Sequence, residues 1–212
     1  MEKGKMVQAA ETGEKLTLNI SRGNVKMGAI PSVSLTPCVS CDPHLPCYAK
    51  CYARRMLRYP NVRKAWDTNL EYYRENPDGF FADLRQALKM SAYFRMHVGG
   101  DIPDYDYFAR LCETVRQAKN CKVLLFTKKG YLVNRYIENG GKIPANLKVI
   151  FSRWYDWRQA NPYNFPETDI YRSVTDLPKK AITCGGNCSA CACRGTGCWT
   201  LKKGQTLYFA EH

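Results

Sequence analysis

Nine of the eleven cysteines fall in two short stretches: Cys38, Cys41, Cys47 and Cys51, then Cys184, Cys188, Cys191, Cys193 and Cys198. A short loop can bring several such thiolates to one centre, either a tetrahedral zinc or the corners of an iron-sulfur cube. Whatever fold the chain adopts is therefore expected to present two metal-binding loops. In a reducing cytosol, cysteines at this density serve as ligands rather than disulfides. The first twenty residues hold no apolar run long enough for a signal peptide, and nowhere do eighteen apolar residues run together. A cytoplasmic protein with no membrane partner is expected.

The two stretches differ in spacing. The first reads Cys-x2-Cys-x5-Cys-x3-Cys-Tyr-Ala, uneven and wide. That suits a cluster on three or four thiolates better than zinc, whose sites favour Cys-x2-Cys pairs; zinc stays the alternative. The second, CGGNCSACACRGTGCW, contains Cys184-x3-Cys188-x2-Cys191, a spacing associated with the cluster that binds S-adenosylmethionine. Such a cluster needs one iron free of protein thiolate, yet Cys193 and Cys198 stand ready to fill that position. A closed auxiliary site is the better reading there, with zinc and iron-sulfur both open.

Between the stretches the pattern alternates. Leu16 to Ile20 and Ile30 to Leu35 read as strands, and Val62 to Asn76 as a helix, followed by a second helix capped by Asp78. Tyr93 to Val98 is a strand, then a helix runs from Asp104 or Asp106 through Lys119. Lys122 to Thr127 and Leu147 to Ser152 are buried strands flanking a helix from Tyr131 to Glu138. This βαβαβ order implies parallel strands with right-handed crossovers. One α/β domain over residues 1–212 is expected, with a core at 16–157 carrying the cysteine loop 38–51. A tail at 158–212 would wrap the body, carry the second stretch at 184–198 and end in a short strand, Gln205 to Phe209.

In parallel α/β folds the site lies at the carboxyl ends of the strands. His97, Gly99, Gly100, Asp101, Thr127, Lys128, Lys129 and Ser152 fall there with the first cysteine loop. His97 and Lys128 are the candidate catalytic groups; Gly99, Gly100, Asp101, Thr127 and Ser152 are the candidate cofactor contacts. Alternation puts His97 on one strand face with Tyr93 and Arg95, as a proton carrier or cofactor contact, or else a hydrogen-bonded structural histidine. Asp101 is a ligand contact or a turn former, and Lys128 and Lys129 are anion binders or merely solvated. Cys112, on an apolar helix face, is a small core residue. A formal charge of +13 favours a polyanionic partner. Arg54, Arg55, Arg58, Arg63 and Lys64, interleaved with Tyr52 and Tyr59, form either a nucleic-acid stripe or an ordinary basic helix surface.

Five segments, YAKCYA, FRMHVGGDI, LLFTKKG, VIFSRW and CGGNC with GCW and LKKGQ, resemble the gene-product-88-like family of phage and gut-bacterial proteins, over about Ile30 to His212. That family is in turn similar to the radical S-adenosylmethionine enzymes, whose partial (β/α) barrel carries a three-cysteine loop after the first strand and a Gly-Gly-Glu-like motif after the second. The resemblance implies a radical-SAM-like partial barrel with a C-terminal cysteine-rich metal-binding segment. Cys41, Cys47 and Cys51 would hold a site-differentiated 4Fe-4S cluster, and Gly99, Gly100 and Asp101 would line the amino group of S-adenosylmethionine. Asp101 stands where Glu is usual. The standard spacing also asks for a cysteine at position 54, which is Arg54, so either Cys41 supplies the third thiolate or the cofactor-cleaving chemistry is lost. Cys184, Cys188, Cys191 and Cys198 resemble a second, fully ligated site, with Cys193 spare. The implied activity is electron donation to the sulfonium and hydrogen abstraction from a substrate, nucleic acid among the candidates. The opposing reading is a non-catalytic nucleic-acid-binding protein stiffened by zinc or iron-sulfur.

Overall fold

The apolar runs KVLLFT and LKVIFS lie side by side as central parallel strands, covered on both faces as such runs require. The computed structural model describes residues 16–211. The absence of a signal peptide was expected partly from residues 1–15, which lie outside the described residues, as does His212. The strands are β1 (Ser32–Val33), β2 (Tyr93–Met96), β3 (Lys122–Thr127), β4 (Leu147–Ser152), β5 (Glu167–Tyr171), β6 (Ile182–Thr183) and β7 (Thr206–Ala210). The helices are α1 (Tyr52–Met56), α2 (Pro60–Glu75), α3 (Pro77–Lys89), α4 (Tyr105–Gln117), α5 (Gly130–Glu138) and α6 (Cys188–Arg194). One sheet runs in the order β1-β2-β3-β4-β5-β7-β6, and each neighbouring pair is parallel.

From β1 to β5 the strands advance across the sheet in chain order. Right-handed crossovers that always step the same way put the intervening helices on one face. The core agrees: Leu70, Phe80, Leu84, Phe108, Leu111 and Val133 of the helices pack on Phe94, Met96, Val123, Leu125, Val149 and Phe151 of the strands. The alternate strand residues, Leu124, Ile150 and Leu207, face the other way and pack with Cys198, Trp199 and Leu201. The second cysteine stretch, α6 included, thus covers the face of the sheet opposite α2–α5.

Several boundaries shift for identifiable reasons. Asn76, not Asp78, caps α3: its Oδ1 accepts from the Gly79 N–H at 2.8 Å, with Pro77 at the first helical position. Asp104 caps α4. Leu16 to Ile20 keeps its alternation without joining the sheet, and Leu16, Leu18 and Ile20 pack on the helix-side core. The tail does more than wrap, for it supplies β5, β6 and β7. No apolar run announces β5, because Glu167 and Asp169 are buried in it and compensated by Arg153 and Arg158. Cys112 is fully buried in the helix-side core, as expected.

Candidate metal centres

The first cysteine loop leaves β1 at its carboxyl end and leads into α1. Ser40 ties the loop down: its hydroxyl donates to the Thr36 carbonyl at 2.9 Å and accepts from the Asp101 N–H at 3.1 Å. Gly99 and Gly100 press against the same turn. The Gly99 N–H donates to Ser34 Oγ, the Gly99 carbonyl accepts from the Leu35 N–H, and the face of Gly99 lies against the Trp66 ring. Burial first, then the neighbouring Cys51, raises the Cys38 thiol. Burial first, then the charge of Asp101, pushes the Cys41 thiol up to about 12. Burial also raises Cys47, with Lys128 opposing it. All eleven cysteines are free thiols.

Asp101 is the hub of the rim. Its Oδ1 accepts from the Thr127 hydroxyl at 2.7 Å and the Ile102 N–H at 2.7 Å; its Oδ2 accepts from the Lys128 N–H at 2.9 Å. Burial raises its carboxyl against the lowering effect of these donors. Thr127 also accepts from the Lys129 N–H, and Gln159, which the sequence reading missed, donates to the Thr127 and Ser152 carbonyls. Ser152 Oγ in turn accepts from the Thr168 hydroxyl. Asp101, Thr127 and Ser152 therefore join one polar belt at the strand ends. Lys128 stands over the Trp154 ring at 5.6 Å. Lys129 fits neither alternative, rim anion binder or solvated cation, since its buried Nζ is spent on the Ser40 and Pro103 carbonyls.

His97 departs from the alternation. It follows the last residue of β2 with φ of 55°, and this left-handed turn carries the ring away from Tyr93 and Arg95. Its Nε2 pairs with the Tyr107 hydroxyl at 3.0 Å on the helix side, while Nδ1 is buried without a partner. Burial first, then Lys129, drives its pKa down to about 3.

The second stretch is built by short-range chemistry. Asn187 caps α6, Gly195 ends it in the left-handed conformation, and Trp199 Nε1 donates back to the Cys188 carbonyl at 3.1 Å. Cys184, Cys188, Cys191 and Cys198 line one cavity against the sheet, with Arg95 and Phe126 opposite; Cys193 is exposed and is not among its walls. Two donors address the sulfurs: the Gly186 N–H lies 3.4 Å from Cys184 Sγ and Arg95 Nη1 lies 3.7 Å from Cys188 Sγ. Burial pushes Cys198 up to about 12 and also raises Cys188, which Arg95 counteracts. Among the described residues, no group of three or more His, Cys, Asp or Glu side chains is gathered tightly enough for a metal ion.

Fold and site together define a cysteine-rich parallel α/β protein with one thiol loop at the strand ends and one thiol-lined cavity on the face opposite α2–α5. The sequence model of Gene product 88 matches residues 3–171, and the chain belongs to that family. The match includes the first cysteine loop and the polar rim but stops short of residues 184–198, so the likeness expected as far as His212 is not carried by it. No curated protein and no solved structure matches the chain. No helix among the described residues is long and apolar enough to cross a membrane.

Proposed function

We propose that this is an iron-sulfur protein of the radical S-adenosylmethionine type, with a partial (β/α) barrel and an auxiliary metal centre in the second cavity. The observation that carries this reading is a contact. The Gly99-Gly100-Asp101 turn after β2 is hydrogen-bonded to Ser34 and Leu35, just past β1, and to Ser40 inside the cysteine loop. Five sequentially ordered parallel strands behind that contact are what a partial barrel requires. Cys41, Cys47 and Cys51 would hold the first cluster, with Cys38, whose thiol Cys51 helps to raise, a fourth candidate. A bound cluster would supply single electrons to S-adenosylmethionine. The chain's own contribution is to hold Asp101 rigidly beside Cys41 and Cys47, and Lys128 close enough to offset that negative charge.

A second reading rests on the exposed basic surface: Arg54, Arg55, Arg58, Arg63 and Lys64 are exposed, as are Tyr52 and Tyr59, with Arg58 stacked on Tyr59 at 4.8 Å. On that reading the metal centres are structural and the surface binds DNA or RNA. The two separate in one experiment on anaerobically purified protein. Brown protein absorbing at about 400 nm that cleaves S-adenosylmethionine on reduction supports the enzyme. Protein that leaves the cofactor intact, yet binds nucleic acid with affinity falling steeply with salt, supports the binding module.

A further inference from the structure

Arg95 rises from β2 on the face of the sheet opposite α2–α5 into the second cysteine cavity. Its guanidinium is held from several sides: it lies 4.7 Å above the Phe126 ring, and Nη1 reaches Met27 Sδ at 3.3 Å and Cys188 Sγ at 3.7 Å. Its Nε is buried with no partner, and among the described residues no carboxylate lies within ion-pair distance of the side chain. A cation taken partly out of water needs an anion nearby, and a guanidinium cannot shed its proton to escape that need. What surrounds this one is sulfur: Cys184, Cys188, Cys191 and Cys198 line the same cavity. Four neutral thiols do not answer a buried charge, whereas four metal-bound thiolates carry a net negative charge that does.

We propose that Arg95 is the counter-cation of a four-thiolate iron-sulfur centre in this cavity and sets its reduction potential; this rests on the auxiliary centre proposed above. Taking one electron from an external reductant adds one negative charge to the centre. A fixed positive charge at a cysteine sulfur stabilises that reduced state in a poorly screened site, which raises the potential. Phe126 and Met27 hold the guanidinium in place, so the charge acts without reorganising.

The test is a dithionite titration followed by electron paramagnetic resonance. It uses the full chain carrying Cys47→Ala, so that the second cavity supplies the signal. Arg95→Met is expected to make reduction at least tenfold less favourable, a fall of about 59 mV for one electron, while Arg95→Lys, which keeps the charge, moves it less. Loss of iron from Arg95→Met but not from Arg95→Lys, with circular dichroism unchanged, supports the same role. An unchanged midpoint in iron-loaded Arg95→Met overturns the role of Arg95 and leaves the cavity's reading standing. Equal loss of iron from both variants overturns the role in favour of packing. Absence of iron from the Cys47→Ala protein overturns both the auxiliary centre and the role of Arg95.

Discussion

At Gly100 the backbone is left-handed, with φ of 80°, and a methyl group there would stand 2.6 Å from both the Leu35 carbonyl oxygen and the Ser40 hydroxyl. The glycine is needed for the close approach of the β2 turn to the cysteine loop, whatever the loop binds. Gly100→Ala should cost at least about 2 kcal/mol and lower the melting temperature by about 5 °C; an unchanged melting temperature would contradict the contact. His97 makes a pH prediction. Its folded pKa of about 3 lies below the unfolded value of about 6.5, so its neutral form stabilises the fold above pH 6.5. That contribution is lost as the pH falls from 6.5 toward 3, by up to about 1.4 kcal/mol per pH unit. The titratable and charged neighbours on the packing elements are Tyr107 and Lys129. His97→Gln should therefore flatten the acid limb of stability relative to the parent chain, and parallel limbs would sink the assignment. At this scale the sequence singles out residues better than it shows what they touch. Asp101 stands out by its place after two glycines, but Thr127 and Ser40 are distant in the chain, and only the fold makes them its partners.

The elements that periodicity reads well are those with one apolar face. The β3 and β4 boundaries match the apolar runs, and α2, α4 and α5 fall within a few residues of their expected positions. Those that escape are held by polar or very short contacts: β5 by buried ion pairs and β6 by two residues beside β7. The strand read at Ile30 to Leu35 is present but shorter, paired with β2 only over Ser32 and Val33. The cysteine stretches are legible as a pattern, yet their separation onto the strand ends and the face opposite α2–α5 is a property of the sheet. That separation yields an element-scale prediction. Cys47→Ala should remove the first centre alone and Cys191→Ala the second alone, each taking about half of the bound iron. Loss of all metal from either single variant would show that the two stretches fold as one unit.

Over the whole molecule, a parallel sheet with its helices on one face would leave the other face exposed, and here the second cysteine stretch closes it, with Trp199 and Leu201 packed on Leu124, Ile150 and Leu207. The first stretch sits where such sheets carry their chemistry. Composition alone indicated a basic molecule of charge +13 with two thiol stretches; it could not indicate that one stretch would roof the sheet and the other crown it. The central claim is that both hold iron. The direct measurement is iron and acid-labile sulfide per chain in protein purified without oxygen. Two four-iron cubes predict about eight of each, in equal amounts. Stoichiometric zinc without sulfide, or no metal at all, would contradict it.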